Sequence, residues 1–440
     1  MRPTDPSPPL SRRQLVRWSA DAGALVLFGG CGSVGDALAG MMAPDTVAIA
    51  ATGAQTGAAR GAPAQAGFHV DSAKGDDAGA GTSPHAAWRT LARLEEGVRS
   101  GQVGPGDTVW FAGGSSFARD DATEGSFWFE NGIRYEGAGP GDKPRFVGSG
   151  DRPFGIRGQG TALARLTFVG GVRSVLRTDG TAPVDIELDE VDCQGGVAIG
   201  FQQLSGAGAS AGSTFLIVGG SFSDNGSIGI NITGAQNSRV EGVTAARNGT
   251  VGIRLQSGGP GCVIRGCLAT ENGANGIGVD TPRTGGGGEV VEGNRVYSNA
   301  RTLNDRSGIK TFSRGTVIRY NEVYENGEGG TLNHGIQLEA GSEACLCYGN
   351  VSRDNPTAGV SFTGPGHRIY HNTCHSNGES GIATFSTSVA NCEVKNNLLV
   401  DNGQYSLRSH GSVATSGLQV DYNLHEERGA GAVVRFAGVD

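Results

Sequence analysis

Lys310 stands in the stretch Ser-Gly-Ile-Lys-Thr-Phe ending at Phe312, where polar and apolar residues alternate. The matching stretch one repeat later, Asn-His-Gly-Ile-Gln-Leu-Glu, carries His334, Gln337 and Glu339, and earlier copies carry Arg254 and Asp280. An amine, an imidazole, a guanidinium and two carboxylates recurring in one strand of a repeat form a set suited to moving protons next to a charged substrate. A lysine that has lost its proton is a base, and nearby cations both favour that loss and stabilise an enolate forming beside a carboxylate. Two carboxylates with a third, Asp305, would also suit a hard cation such as Ca2+, which takes oxygen ligands and would relieve their opposition to a neutral lysine.

This chemistry requires that residues far apart in sequence project from one wall, and the repeat supplies the wall. Turn asparagines stand at Asn225, Asn248, Asn272, Asn299, Asn326, Asn355, Asn377 and Asn402, separated by 22 to 29 residues. A second series, Asn294, Asn321, Asn350, Asn372 and Asn397, precedes the turn asparagine by five residues in the later copies. Short stretches of period two lie between the turns and are too brief for helices. A unit of this size cannot bury its apolar face alone, so copies must stack. The fold expected is all-β, a right-handed parallel β-helix, with both asparagine series hydrogen-bonded from rung to rung. A leucine-rich horseshoe and a β-propeller lack their sequence signatures here.

Within each copy the Gly-Ile-x-φ-x strand sends its isoleucine and second apolar residue inward and its two x residues outward. The first outward row is Asn231, Arg254, Gly278, Lys310, Gln337, Ser361 and Ala383; the second is Thr233, Gln256, Asp280, Phe312, Glu339, Thr363 and Phe385. Lys310 is thereby expected on the outside, between Gly278 and Gln337, with the glycine leaving a notch. The longest insertions fall on the same rungs and bring Arg283, Asp305, Arg306 and His334 toward it, as loops on a rigid scaffold often bring binding groups together. Lys310, His334 and Arg306 are the candidate catalytic residues, Arg254, Arg283, Phe312 and Gln337 the substrate contacts, and Asp280, Glu339 and Asp305 the candidate calcium ligands.

The rest of the chain fits this picture. Residues 1–39 read as a twin-arginine-type export signal, with Arg12 and Arg13 after Ser11 and the small-residue triplet Ala37-Leu38-Ala39; a lipoprotein site at Cys31 is the alternative. Residues 40–66 read as a flexible linker, 67–130 as an N-terminal cap with a helix and the first strands, and 131–440 as the β-helix. The helix is expected to start after Ser83-Pro84 and to bury Trp88, Leu91, Leu94 and Val98. A formal charge of −8 argues against nucleic acid as partner. No apolar run is long enough to span a membrane. The cysteines beyond the signal match no zinc spacing and read as small apolar fillers.

The block from "GTSPHAAWRTL" through "PGDTV" resembles the entry segment of secreted pectate-lyase-like β-helix proteins, and the resemblance extends over nearly the whole chain after the linker. "SGIKT" followed by "LNHGIQLE" resembles the lysine strand and following histidine-glycine strand of the chondroitinase B and alginate lyase family. That resemblance implies β-elimination on a uronate-containing, acidic polysaccharide with Lys310 as base. The family's arginine just before the histidine is replaced by Asn333, so the acid role passes to His334 or Arg306. An inverting glycoside hydrolase using Asp280 and Glu339, a C5-epimerase on the same groove, and a non-catalytic glycan-binding β-helix are the alternatives.

Overall fold

The computed structural model describes residues 66–139, 141–178, 183–203, 212–280, 287–302, 306–327, 332–385, 389–409, 417–426 and 434–435. The expected export signal, Cys31 and nearly all of the linker lie outside the described residues, as do Arg283 and Asp305.

Among the described residues every strand pairing is parallel, and apart from the first strand, Phe68–Val70, which pairs with the next, Thr108–Ala112, each pairs with the one three places along the chain, so the chain winds as a three-walled coil. The first wall runs from Phe68–Val70 to Gln419–Asp421 in 14 strands, and the second from Phe127–Phe129 to Val434–Arg435 in 13. The third is a 5-stranded sheet ending at Phe222–Ser223, followed by an 8-stranded sheet from Thr244–Ala246 to Leu424–Glu426. A parallel stack has no hairpins, so each strand's apolar residue sits directly over the previous one. Ile253, Ile277, Ile309, Ile336, Val360 and Ile382 form such a column, all buried. In the first rungs the filler is aromatic, with Phe129, Phe146 and Phe168 packed at ring-centroid distances of 5.0 to 5.6 Å.

Both asparagine series form the expected ladders. Asn272 Nδ2 donates to Asn299 Oδ1 at 2.8 Å, and Asn299 Nδ2 to Asn326 Oδ1 at 3.0 Å. In the second series, Asn294 and Asn321 repeat the bond at 2.9 Å, and Asn423 extends that ladder by one rung. The residue before each turn asparagine is left-handed, for example Glu271, Ser298 and Glu325 at φ 56°, 53° and 53°. That bend points backbone N–H and C=O groups inward, where the asparagine amide satisfies them.

The N-terminal helix is shorter than expected. Pro84–Ala86 makes a single 3-10 turn, and the α-helix is Leu91–Arg99, capped by Thr90, whose side chain accepts from Arg93 N. Trp88 lies ahead of the helix, in a parallel bridge with Val70, with its indole N–H donating to Gly79 O. The Ser83-Pro84 signal is local, whereas Trp88 is extended because it continues the sheet.

All seven cysteines past the signal are buried and unbonded to one another. Burial pushes the thiols of Cys267 and Cys374 up to about 12 and that of Cys345 to about 11. A thiol held protonated is a poor nucleophile. Iodoacetamide at pH 8 is therefore expected to leave these seven cysteines unalkylated in the native protein, as read by peptide mass, and to label them on denaturation.

Candidate active site

The outward row of the second wall has the register that alternation requires. Asn231, Arg254, Gly278, Lys310, Gln337, Ser361 and Ala383 are successive partners. A Cβ placed on Gly278 would meet nothing closer than Val251 Cγ1 at 3.7 Å, so the notch beside Lys310 is real. A further outward row lies toward the start of each strand: Ser307, His334, Ala358 and Ser380. It exists because the glycine after each of these residues points inward, toward the asparagine ladder: a Cβ on Gly308 would collide with Val323 and Asn326. Two consecutive inward residues put both His334 and Gln337 outside.

Lys310 is on the expected face but is not solvated. It is 2% exposed, with Nζ 2.8 Å from Glu339 Oε2 and 5.2 Å from the Phe312 ring centroid. Glu339, 17% exposed, also accepts from Gln337 Nε2 at 2.8 Å, and Gln337 Oε1 accepts from Ser307 Oγ at 2.7 Å. The result is one connected network, Ser307–Gln337–Glu339–Lys310, spanning two rungs. Buried ionised groups are tolerated only when paired and hydrogen-bonded, and this pair is both. Ser307 was not foreseen; its place before the repeat's glycine is the signal that could have found it.

Across the notch, Arg254 Nε holds Asp280 Oδ2 at 2.8 Å, with side chains 30% and 25% exposed. Both candidate metal carboxylates are thus engaged by cations. Among the described residues no three His, Cys, Asp or Glu side chains come together as a metal site. Asp305, the third carboxylate of the expected set, lies outside the described residues.

His334, also 2% exposed, packs its ring 5.3 Å from that of Phe385. Arg306 lies one rung below and is tied to this turn by its backbone: its N–H donates to Asn333 Oδ1 at 3.0 Å and its carbonyl accepts from His334 N at 3.2 Å. Asn333 is fully buried and shapes this turn by accepting from Arg306 N. Phe385 departs from its expected row: its ring reaches back to His334, two strands earlier.

This is a right-handed parallel β-helix with a polar, largely covered cluster on one outer wall. The family model described as the right-handed beta helix region matches residues 186–285. Among solved structures, the mannuronan C-5 epimerase AlgE6 A-module of Azotobacter vinelandii is 15% identical, with 80% of this chain and 93% of that one covered and a TM-score of 0.51. The periplasmic alginate epimerase AlgG is 15% identical over 72% of this chain and 76% of its own, with a TM-score of 0.46. Pectate lyase Pel9A is 16% identical over 77% and 79%, with a TM-score of 0.37. No curated protein matches. The likeness to the AlgE6 A-module is one of fold.

Proposed function

We propose that the protein is an exported enzyme that cleaves a uronate-containing polysaccharide by β-elimination at the Lys310 cluster. The observation that carries this reading is the buried Lys310–Glu339 pair, bonded to Gln337 and Ser307 and set beside the Gly278 notch on one wall. In such a pair the carboxylate lies within reach of the amine's proton, 2.8 Å away. Lys310, with its proton on Glu339, takes the C5 proton of the uronate. The C5–H electrons become the C4–C5 double bond, the C4–O bond breaks, and His334 delivers a proton to the leaving oxygen. Arg254, with Arg283 and Arg306, supplies positive charge toward the substrate carboxylate. Phe312 and Gln337 contact the ring.

An inverting hydrolase needs one carboxyl group kept protonated. Asp280 and Glu339 are instead each held by a cation at 2.8 Å, Arg254 and Lys310. A C5-epimerase shares the first step and returns a proton to the opposite face instead of breaking C4–O. Incubation with polymannuronate, polyguluronate and polygalacturonate tests the reading. The ultraviolet absorbance of unsaturated ends is expected to rise; altered uronate NMR signals without it would indicate epimerisation, and reducing ends without it hydrolysis.

Calcium at Asp280, Glu339 and Asp305 would have to displace Arg254 and Lys310. Turnover is therefore expected to persist in excess EDTA, and its loss, with recovery on added Ca2+, would place the ion at these carboxylates. The helix Leu91–Arg99, with Leu91 and Leu94 buried and Glu95 paired to Arg119, is assigned the role of covering the first rungs. Export through the twin-arginine-type segment at residues 1–39 completes the proposal.

A further inference from the structure

Two rungs beyond Lys310 the wall changes character. The outward positions of the strands Ala358–Phe362 and Ser380–Thr384 are Ala358, Ser361, Ser380 and Ala383, a patch of the smallest side chains two strands wide. His334 and Gln337 bound it on one side, and Tyr405 and Arg408 on the other. At about 4.8 Å per strand, those neighbours stand roughly 14 Å apart across the floor.

Small residues alone would mean only a shallow depression. The second observation is chemical: Ser361 Oγ and Ser380 Oγ are buried, in residues 2% and 0% exposed, and neither has a hydrogen-bond partner. An unsatisfied buried hydroxyl costs stability, and two facing the same patch ask for a ligand that supplies the missing bonds. The third is the cover. Phe385 follows directly on the Ser380–Thr384 strand, yet its ring lies against His334, so it must pass over this floor.

We infer that this patch is a sugar-binding subsite for the unit next to the one attacked by Lys310, with Ser361 and Ser380 bonding its hydroxyl or carboxylate oxygens and Phe385 as the cover that the sugar displaces. The inference rests on the uronate reading for the class of ligand, an oligouronate whose acid group would face Arg408. Arg408 is held in place by Glu379. A hydroxyl-lined floor beneath an aromatic ring suits a pyranose, which presents polar edges and an apolar face.

The experiment uses the full chain and hexamers of mannuronate and galacturonate, with maltohexaose as the neutral control, in calorimetric binding alongside the ultraviolet assay. The double variant Ser361→Ala, Ser380→Ala is expected to bind the preferred oligouronate at least 10-fold more weakly than the unaltered protein. Its melting temperature is expected to stay the same or rise, because the hydroxyls removed are unpaired in the free protein. A purely structural role would lower the melting temperature and leave affinity unchanged, and that result overturns the inference. Equal affinity with normal product formation overturns the subsite while leaving the enzyme reading intact. Serine-dependent binding without any product upholds the subsite and rejects the lyase. No binding of either oligouronate rejects both.

Discussion

Lys310→Ala is expected to lower the rate of unsaturated-end formation by about 1,000-fold, within the range over which general acid–base groups contribute. The loss should appear in kcat, because the side chain acts on the proton in flight. The structure also gives an expectation for folding. Removing the ammonium leaves Glu339 inside the wall, but its carboxylate keeps the Gln337 amide at 2.8 Å and the Ala340 backbone N–H at 2.7 Å, and it is 17% exposed. A cost of about 1–2 kcal/mol follows, less than for an ion left alone in a core. Lys310→Met, which keeps the bulk beside Phe312, should be equally inactive and melt slightly higher. Wild-type turnover in either folded variant would remove Lys310 from the chemistry.

The largest expected effect on stability lies in the asparagine ladders. The Asn321 side chain accepts from Asn294 N at 3.0 Å and Asn294 Nδ2 at 2.9 Å; it donates to Val291 O and Arg319 O at 3.0 Å each and to Asn350 Oδ1 at 2.9 Å. Asn321→Ala strands several buried partners at once, and each buried group left unsatisfied costs about 1–3 kcal/mol. A loss of about 3 kcal/mol or more is expected in urea unfolding. Asn423→Ala, at the end of the same ladder and partly exposed, removes bonds to Asn397 and Val394 only and should cost about 1 kcal/mol. Equal losses at the two positions would mean that the ladder is not what holds the bends. Because rungs contact mainly their neighbours, the Asn321 variant should also lose cooperativity, with a broader transition.

How much was legible follows from these two cases. The ladders could be read from sequence because a turn that recurs every rung needs the same amide every rung. The outward row from Asn231 to Ala383 could be read because side-chain alternation in a strand is fixed by covalent geometry. The ion pair of Lys310 with Glu339 was within reach, since the two lie diagonally on adjacent strands. The helix start was misread: Pro84 is a good helix opener locally, but pairing of Trp88 with Val70 takes precedence over local propensity. The further outward row, with Ser307 and His334, escaped because it depends on Gly308 and Gly335 turning inward, which breaks simple alternation.

By itself the sequence determined the coil, its register and which residues share the outer wall, since these follow from a short period repeated along the chain. Only the tertiary structure decided that the wall around Lys310 is covered, that Asp280 and Glu339 are both engaged by cations, and that Phe385 reaches back to His334. The physical reason is that periodicity specifies backbone position, whereas cover and charge pairing depend on how long side chains bend across rungs, which no repeat encodes.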